Sequence, residues 1–308
     1  MNKVRDFLKF FFDTRALTTD GTNYDLENKF SLFRSSGTFR LTEGTEIKFN
    51  KNNKRDAVSL VSFLLKNGVI SKNEPGYWKV FTEKWEIETS NGIRYSLENF
   101  DSSIMSETFL HEIHYSGNIE GKTVIQAGGF TGDTALYFAN EGAKVYSFEP
   151  DILSYKIGLK NINLNPHLSD HIVFENYAIG VDGTVAFPYG EFGRGDNSLY
   201  GMSYGPTEKI PSKSIKTLLE EFDIHSPYLL DLDIKGSEFS VIEDSSIQKF
   251  EKVRIEYSPY LFNNSNANLN YLKRKLDGYG FHNIRVFKHN DGRYDLMNHG
   301  TLEAHKNK

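Results

Sequence analysis

The chain contains no cysteine, which removes disulfide frameworks, thiolate zinc sites and cysteine nucleophiles. It has no run approaching the roughly 18 consecutive apolar residues of a spanning helix, so no integral membrane association is expected. Positive charge is not in excess: 36 basic against 41 acidic residues give −5. That balance supplies no broad electrostatic footprint for nucleic acid or an anionic membrane and argues against both as partners. Internal repeats and low-complexity tracts are absent. The first 17 residues interleave Arg5, Asp6, Lys9, Asp13 and Arg15 with apolar positions, so they lack the clean apolar core of a signal peptide, and a cytoplasmic location is expected.

What is present is ample core material. With 38% hydrophobic and 25% charged residues, the chain should fold as a soluble globular protein. Its 308 residues exceed the usual single domain of roughly 100–200, so the length suits one large domain with an extension, or two domains. The 24 Phe, 17 Tyr and 2 Trp favour bulky packing and hint at a stacking surface for a planar ligand or a sugar.

The first 85 residues read as a small α+β accessory region. Val4, Phe7, Leu8 and Phe11 share one helical face. Residues 38–41 and 46–49 form a hairpin, 57–65 a compact helix that stops near Gly68, and 71–76 a linker containing Pro75 and Gly76. Residues 85–89 and 93–97 flank Asn91-Gly92, a turn pair whose geometry matches strand twist. No chemistry is legible in this region, which is expected to present substrate or to mediate a homo-oligomer.

From Glu120 onward strands alternate with helices, with strands at 123–127, 145–148, 172–174, 228–233 and 253–257. This predicts an α/β domain over 86–308, a mostly parallel sheet covered by helices on both faces. The end changes character: a helix over 269–276 is followed by segments 284–287 and 294–297, which predict a terminal antiparallel hairpin. Such an ending fits Rossmann-like class I methyltransferases rather than dinucleotide dehydrogenases.

The most informative stretch runs from Val124 through Gln126, Gly128, Gly129, Gly132 and Thr134 to Ala139. A strand enters a glycine loop and then a helix, so backbone can approach a ligand and helix N–H groups can face an anion. A plain strand-to-helix turn would need the same glycines. Glu149, however, ends the next strand 21 residues after Gly128, where a carboxylate accepts hydrogen bonds from a ribose diol. The pair points to an adenosine-type ligand. The spacing does not fit the G-x-G-x-x-G of NAD sites, and a looser loop suits S-adenosylmethionine (SAM).

These residues resemble the FkbM family of SAM-dependent methyltransferases. The resemblance spans about 93–280 and rests on five segments in register. They are the glycine loop through Ala139; Phe148-Glu149-Pro150; the helix end at 161–165; 176–180; and 230–238 followed by Ile255-Glu256. It implies that Gly128, Gly129 and Gly132, with Gln126 and Thr134, line the methionine end of SAM. Glu149 would hold the ribose, the segment from Asn176 to Ala178 the adenine rim, and Asp233 would face the methyl group. The resemblance also implies an O-methyltransferase acting on a sugar or glycoconjugate hydroxyl, a small-molecule or glycan acceptor.

Three positions depart from the family pattern. Gln126 stands where an aspartate is usual, Asp231-Leu232-Asp233-Ile234-Lys235-Gly236 exchanges the sign of the outer charges of Lys-x-Asp-x-Glu-Gly, and Ser258 replaces the histidine of Glu-x-His. An ion pair within 231–235 is expected to survive, because the three charged residues share strand parity.

Methyl transfer from a sulfonium is an in-line displacement with an activated leaving group, so the enzyme aligns the acceptor and removes its proton. Asp233, Lys235 and Glu256 are the catalytic candidates, Asp233 first, as positioning group or base. Acids beside Lys235 favour its charged form and argue against it as a base. Glu238, at a helix start, reads as N-terminal charge stabilisation. His111 and His114 form one His-x-x-His pair without further ligands, and no metal site is expected. The glycine-bearing stretch 190–205 is a candidate substrate lid or a flexible loop. Rival readings are RNA 2′-O-methylation, a SAM-binding module without turnover, and, more distantly, a nicotinamide dehydrogenase.

Overall fold

The computed structural model describes residues 34–41, 45–67, 77–98, 100–188, 207–261, 267–288, 296–297 and 299–306. The amphipathic segment at 4–11, the linker at 71–76 and the stretch 190–205 lie outside them. The chain divides into two compact units, Met1–Tyr115 and Ser116–Lys308.

In the first unit, β1 (Gly37–Arg40) pairs antiparallel with β2 (Glu46–Phe49), where Ile47 and Phe49 alternate inward. Helix α1 (Lys54–Asn67) buries Ala57, Leu60, Val61 and Leu64, the i, i+3, i+4, i+7 face that the sequence shows. A meander follows: β3 (Lys79–Phe81), β4 (Glu86–Glu88) and β5 (Arg94–Ser96), with Gly92 at φ 81° in the expected turn. Because β3 pairs with β4, a boundary at residue 85 would cut a sheet, and the unit continues to Tyr115. Helix α2 (Ser102–Phe109), capped by the Asp101 carboxylate, ends before His111 and His114, so these two do not share a helical face. Among the described residues no group of three or more potential metal ligands occurs.

The second unit is built on a seven-stranded sheet. In chain order its elements are β6 (Thr123–Ala127), α3 (Asp133–Asn140), β7 (Lys144–Phe148), α4 (Ile152–Asn163), α5 (Pro166–Ser169) and β8 (Ile172–Glu175). A small sheet follows from β9 (Ala178–Ile179), β10 (Gly183–Pro188) and β11 (Thr207–Lys213). Then come α6 (Ile215–Glu221), β12 (Leu229–Leu232), α7 (Glu238–Val241), β13 (Lys252–Tyr257), α8 (Leu269–Gly278), β14 (Asn283–Phe287) and β15 (Gly300–His305). The order across the large sheet is β14-β15-β13-β12-β6-β7-β8. The strands from β13 to β8 are parallel, and β15 runs antiparallel to both neighbours.

One expectation needs correction: the partner of β14 is 300–305, not 294–297. Residues Leu302 and Ala304 are buried between two strands, whereas the polar look of Gly300-Thr301-Leu302-Glu303-Ala304-His305 hides a strand. The resulting order is the class I, Rossmann-like arrangement, and strand order reverses between β6 and β12. Ligands in open α/β sheets sit at the carboxyl ends of such a pair. Among the described residues no helix is long and apolar enough to cross a membrane.

The two faces of the sheet differ. Ile125, Ala127, Leu230, Leu232, Val253 and Ile255 pack on the core with α6 and α8. On the opposite parity a polar row crosses the strands in register: Ser147, Gln126, Asp231, Arg254 and Glu303. Pleating puts register-matched residues of a sheet on one face, so these groups meet although they lie far apart in sequence.

Candidate active site

The glycine loop joins β6 to α3 and is shaped chiefly by the protein's own close contacts. Gly128 and Gly129 both donate to the Phe148 carbonyl at 3.0 Å. A Cβ on Gly128 would stand 2.0 Å from the Asp233 carbonyl oxygen, and one on Gly129 2.5 Å from both Phe174 and Ser147 Oγ. Gly132 caps α3 at φ 77° and faces Gly158 of α4. These glycines therefore bring the ends of β6 and β12 together and let α3 and α4 approach, which narrows the crevice before any ligand is considered.

Glu149, at the end of β7, clamps this loop. Its two oxygens accept from the Phe130 and Asp151 backbone N–H groups, each at 2.7 Å, and hold Phe130 at φ 42°. Burial pushes its carboxyl up to about 8, offset in part by those N–H groups and reinforced by the charges of Asp151 and Asp233. Each carboxyl oxygen retains a second hydrogen-bonding position, one of which the acid's own proton occupies below about pH 8. Asn176 spends its amide N–H group on the carbonyls of Glu149 (2.7 Å) and Pro150 (3.0 Å). Ala178 packs in the small-sheet core with Phe187 and Ile210. Thr134 is buried, its hydroxyl on Asp133 Oδ2 at 3.2 Å.

Gln126 is 1% exposed. It accepts from Ser147 Oγ at 2.6 Å and reaches the Gly128 carbonyl from Nε2 at 3.3 Å. An amide serves here because it both donates and accepts; an aspartate would face the Gly128 carbonyl with acceptors alone.

The three catalytic candidates meet. Lys235 Nζ donates to Glu256 Oε1 at 2.5 Å and lies 3.3 Å from Asp233 Oδ1. Burial opposes its charge, but the two carboxylates outweigh this and hold its pKa well above the usual lysine value. Lys235 adopts φ 43° and is followed by Gly236 at φ 99°, a left-handed turn that a lysine rarely takes and that aims the ammonium back between two strand ends. Asp233 and Lys235 keep partial exposure, 27% and 23%, whereas Glu256 keeps 5%.

Sequence reasoning missed Arg254. Its Nη1 donates to Asp231 Oδ1 at 2.8 Å, both side chains fully buried, and Asp231, Glu256 and Asp233 all favour its charge. The signal was a charged residue flanked by Val253 and Ile255 in a strand at the middle of a covered sheet, which requires a buried partner. Glu238 also does more than the sequence implied: it accepts from Gly236 N and Ser258 N, each at 2.5 Å, linking the loop after β12 to the end of β13. Burial raises its carboxyl to about 7.

This donor set fits an adenosyl sulfonium. A carboxylate lies beside the glycine loop, and three acids against two bases (Asp231, Asp233 and Glu256 with Lys235 and Arg254) surround the reversal point with net negative charge.

The strand order and this crevice define a class I, SAM-dependent methyltransferase domain. Residues 121–290 match the family model described as Methyltransferase FkbM domain; that is more than half of the chain, and the chain belongs to this family. Among solved structures, the FkbM methyltransferase of Methylobacillus flagellatus is 15% identical with TM-score 0.44, covering 82% of this chain and 55% of that one. The present chain thus spans only about half the length of that structure. The N-terminal domain of human METTL16 is 14% identical with TM-score 0.42, covering 94% and 96%. M. capricolum TrmK in complex with S-adenosylhomocysteine is 13% identical with TM-score 0.38, covering 61% and 63%. These scores fall below 0.5, and the assignment rests on strand order and the family match. No curated protein matches the chain.

Proposed function

We propose that the protein is a SAM-dependent O-methyltransferase whose acceptor is a hydroxyl of a sugar or glycoconjugate. The observation that carries this reading is Lys235 Nζ bridging Asp233 and Glu256 beside the loop of Gly128. When bound, SAM supplies an activated methyl group. The chain's own residues do the rest: the second hydrogen-bonding positions of Glu149 take ribose hydroxyls, and Gly128, Gly129, Gly132, Gln126 and Thr134 shape the methionine end. Asp233, partly exposed, accepts a hydrogen bond from the acceptor hydroxyl and orients its oxygen for in-line attack. Lys235 and Glu256 hold Asp233 in place, an alignment role that favours transfer by proximity. Asn176 fixes the turn after β7 at the adenine side.

The sugar acceptor is supported by the family resemblance and by the net charge of −5, which opposes a polyanionic substrate. Calorimetric titration with SAM, S-adenosylhomocysteine and NAD tests the cofactor; binding of NAD alone would sink the reading. Labelled methyl transfer to sugars, lipid-linked glycans and RNA tests the acceptor, and transfer to RNA only would replace the sugar by the 2′-hydroxyl.

A further inference from the structure

Backbone pairing of β12 with β13 runs from Leu229 and Lys252 to Leu232 and Ile255. Asp233, Lys235 and Glu256 all stand past its last pair, where the ladder no longer fixes the distance between the two chains. Glu238, 0% exposed, fixes it instead. Its Oε2 accepts from Gly236 N and its Oε1 from Ser258 N, each at 2.5 Å. The carboxylate thus joins the residue after Lys235 to the second residue after Glu256. Together with the ion pair of Lys235 and Glu256, it closes a ring through both chains.

Each end of this bridge is set. On the β12 side the N–H belongs to Gly236 at φ 99°, directly after Lys235 at φ 43°, a left-handed lysine that persists only where its surroundings over-determine it. On the β13 side the Ser258 hydroxyl and the Tyr257 carbonyl meet His299 Nδ1, each at 3.3 Å, and the Ser258 carbonyl accepts from Leu261 N at 3.0 Å. Two N–H donors therefore arrive from two fixed segments. Only a carboxylate presents an acceptor to each; the amide of a glutamine would turn its own N–H toward one of them. The fold bears a cost for it. Burial raises the carboxyl to about 7, the N–H groups offset this in part, and the charge of Glu256 adds to it. This group's contribution to stability is therefore lost as pH rises from 4.5 to about 7, and burdens of this kind cluster at functional sites.

We propose that Glu238 is the positioning residue of the acceptor site. By holding the N–H groups of Gly236 and Ser258 together, it keeps Lys235 seated between Asp233 and Glu256 and so aims Asp233 at the acceptor hydroxyl. The proposal rests on the O-methyl transfer reading. Buried as it is, Glu238 acts through Lys235 and not by touching the acceptor. Its loss should therefore appear in the alignment of the reacting groups, not in the binding of SAM by the glycine loop and Glu149.

The test uses the full chain and Glu238→Gln, which keeps the volume and loses one acceptor. Trace labelling with acetic anhydride, read at Lys235 by peptide mass spectrometry, needs neither SAM nor acceptor. Lys235 is expected to label several-fold faster in the variant than in wild type, and equal labelling overturns the proposal. With SAM and a set of methyl hexopyranosides, kcat is expected to fall by roughly 10–100-fold, the scale of a small misplacement, with SAM affinity within about twofold of wild type. Undiminished kcat, or SAM affinity falling in step with kcat, also overturns it. Should Glu238→Gln fail to fold, Glu238→Asp takes its place, with the charge kept and the reach shortened by a methylene. It is expected to label Lys235 faster and to lower kcat; wild-type labelling or wild-type kcat counts against the proposal. Absence of transfer by wild type to every hexopyranoside counts against the sugar reading instead, and the labelling of Lys235 still tests Glu238.

Discussion

Arg254 donates to Asp231 at 2.8 Å across β13 and β12, with neither side chain exposed. Removing one partner leaves the other charge buried in a low-dielectric sheet, which is far more costly than removing both. Arg254→Met is expected to destabilise the protein by about 3–5 kcal/mol, whereas Asp231→Leu with Arg254→Met together is expected to come close to wild type. Urea unfolding of wild type and the two variants checks this, and a double variant as weak as the single one would refute it.

Glu149 ties stability to pH. Its carboxyl sits at about 8 in the fold against 4.5 for an ordinary glutamate. Between these values the folded protein keeps a proton that the unfolded chain has lost, so this group's contribution is full below about 4.5 and declines as pH rises to about 8. The stability difference between wild type and Glu149→Gln is expected to shift against wild type across that window. Chemical denaturation at several pH values measures it; a flat difference contradicts the buried acid.

The same residue is expected to matter for the ligand. Glu149→Ala removes the ribose acceptors and releases the Phe130 turn, so SAM affinity is expected to fall by about tenfold, the worth of one hydrogen bond. Calorimetry reads the change directly, and unaltered affinity would remove Glu149 from the site.

Asp233→Ala is expected to lower kcat by about 100-fold, the scale of a misplaced reactant, with a smaller effect on SAM affinity. Lys235 would then keep Glu256 as its partner, so the fold is expected to persist. Equal turnover in variant and wild type would refute the orienting role.

Gly128 and Gly117 share a left-handed backbone, φ 87° and 78°, but only Gly128 faces an obstacle, the Asp233 carbonyl at 2.0 Å, while Gly117 faces open space. Gly117→Ala is expected to carry only the backbone strain of about 1–2 kcal/mol. Gly128→Ala is expected to exceed it and to abolish SAM binding by parting β6 from β12. Melting temperatures and calorimetry on the pair separate strain from collision.

The sequence alone determined the strand–helix alternation, the loop at Gly128, Gly129 and Gly132, the acid at Glu149 and the cluster of Asp233, Lys235 and Glu256. Local periodicity and glycine placement encode the alternation and the loop directly, because they depend on neighbours a few residues away, and the acids and the lysine follow from parallel strands delivering their carboxyl ends to one edge. Residues 300–305 were not legible as the seventh strand, since burial between β13 and β14 outweighs their polar composition. Only the tertiary structure decided that Arg254 pairs with Asp231, that Gln126 serves Ser147, and that His299 meets Ser258. Each joins residues that strand register brings together over separations of 23, 21 and 41 positions, and register is a property of the closed sheet rather than of any segment within it.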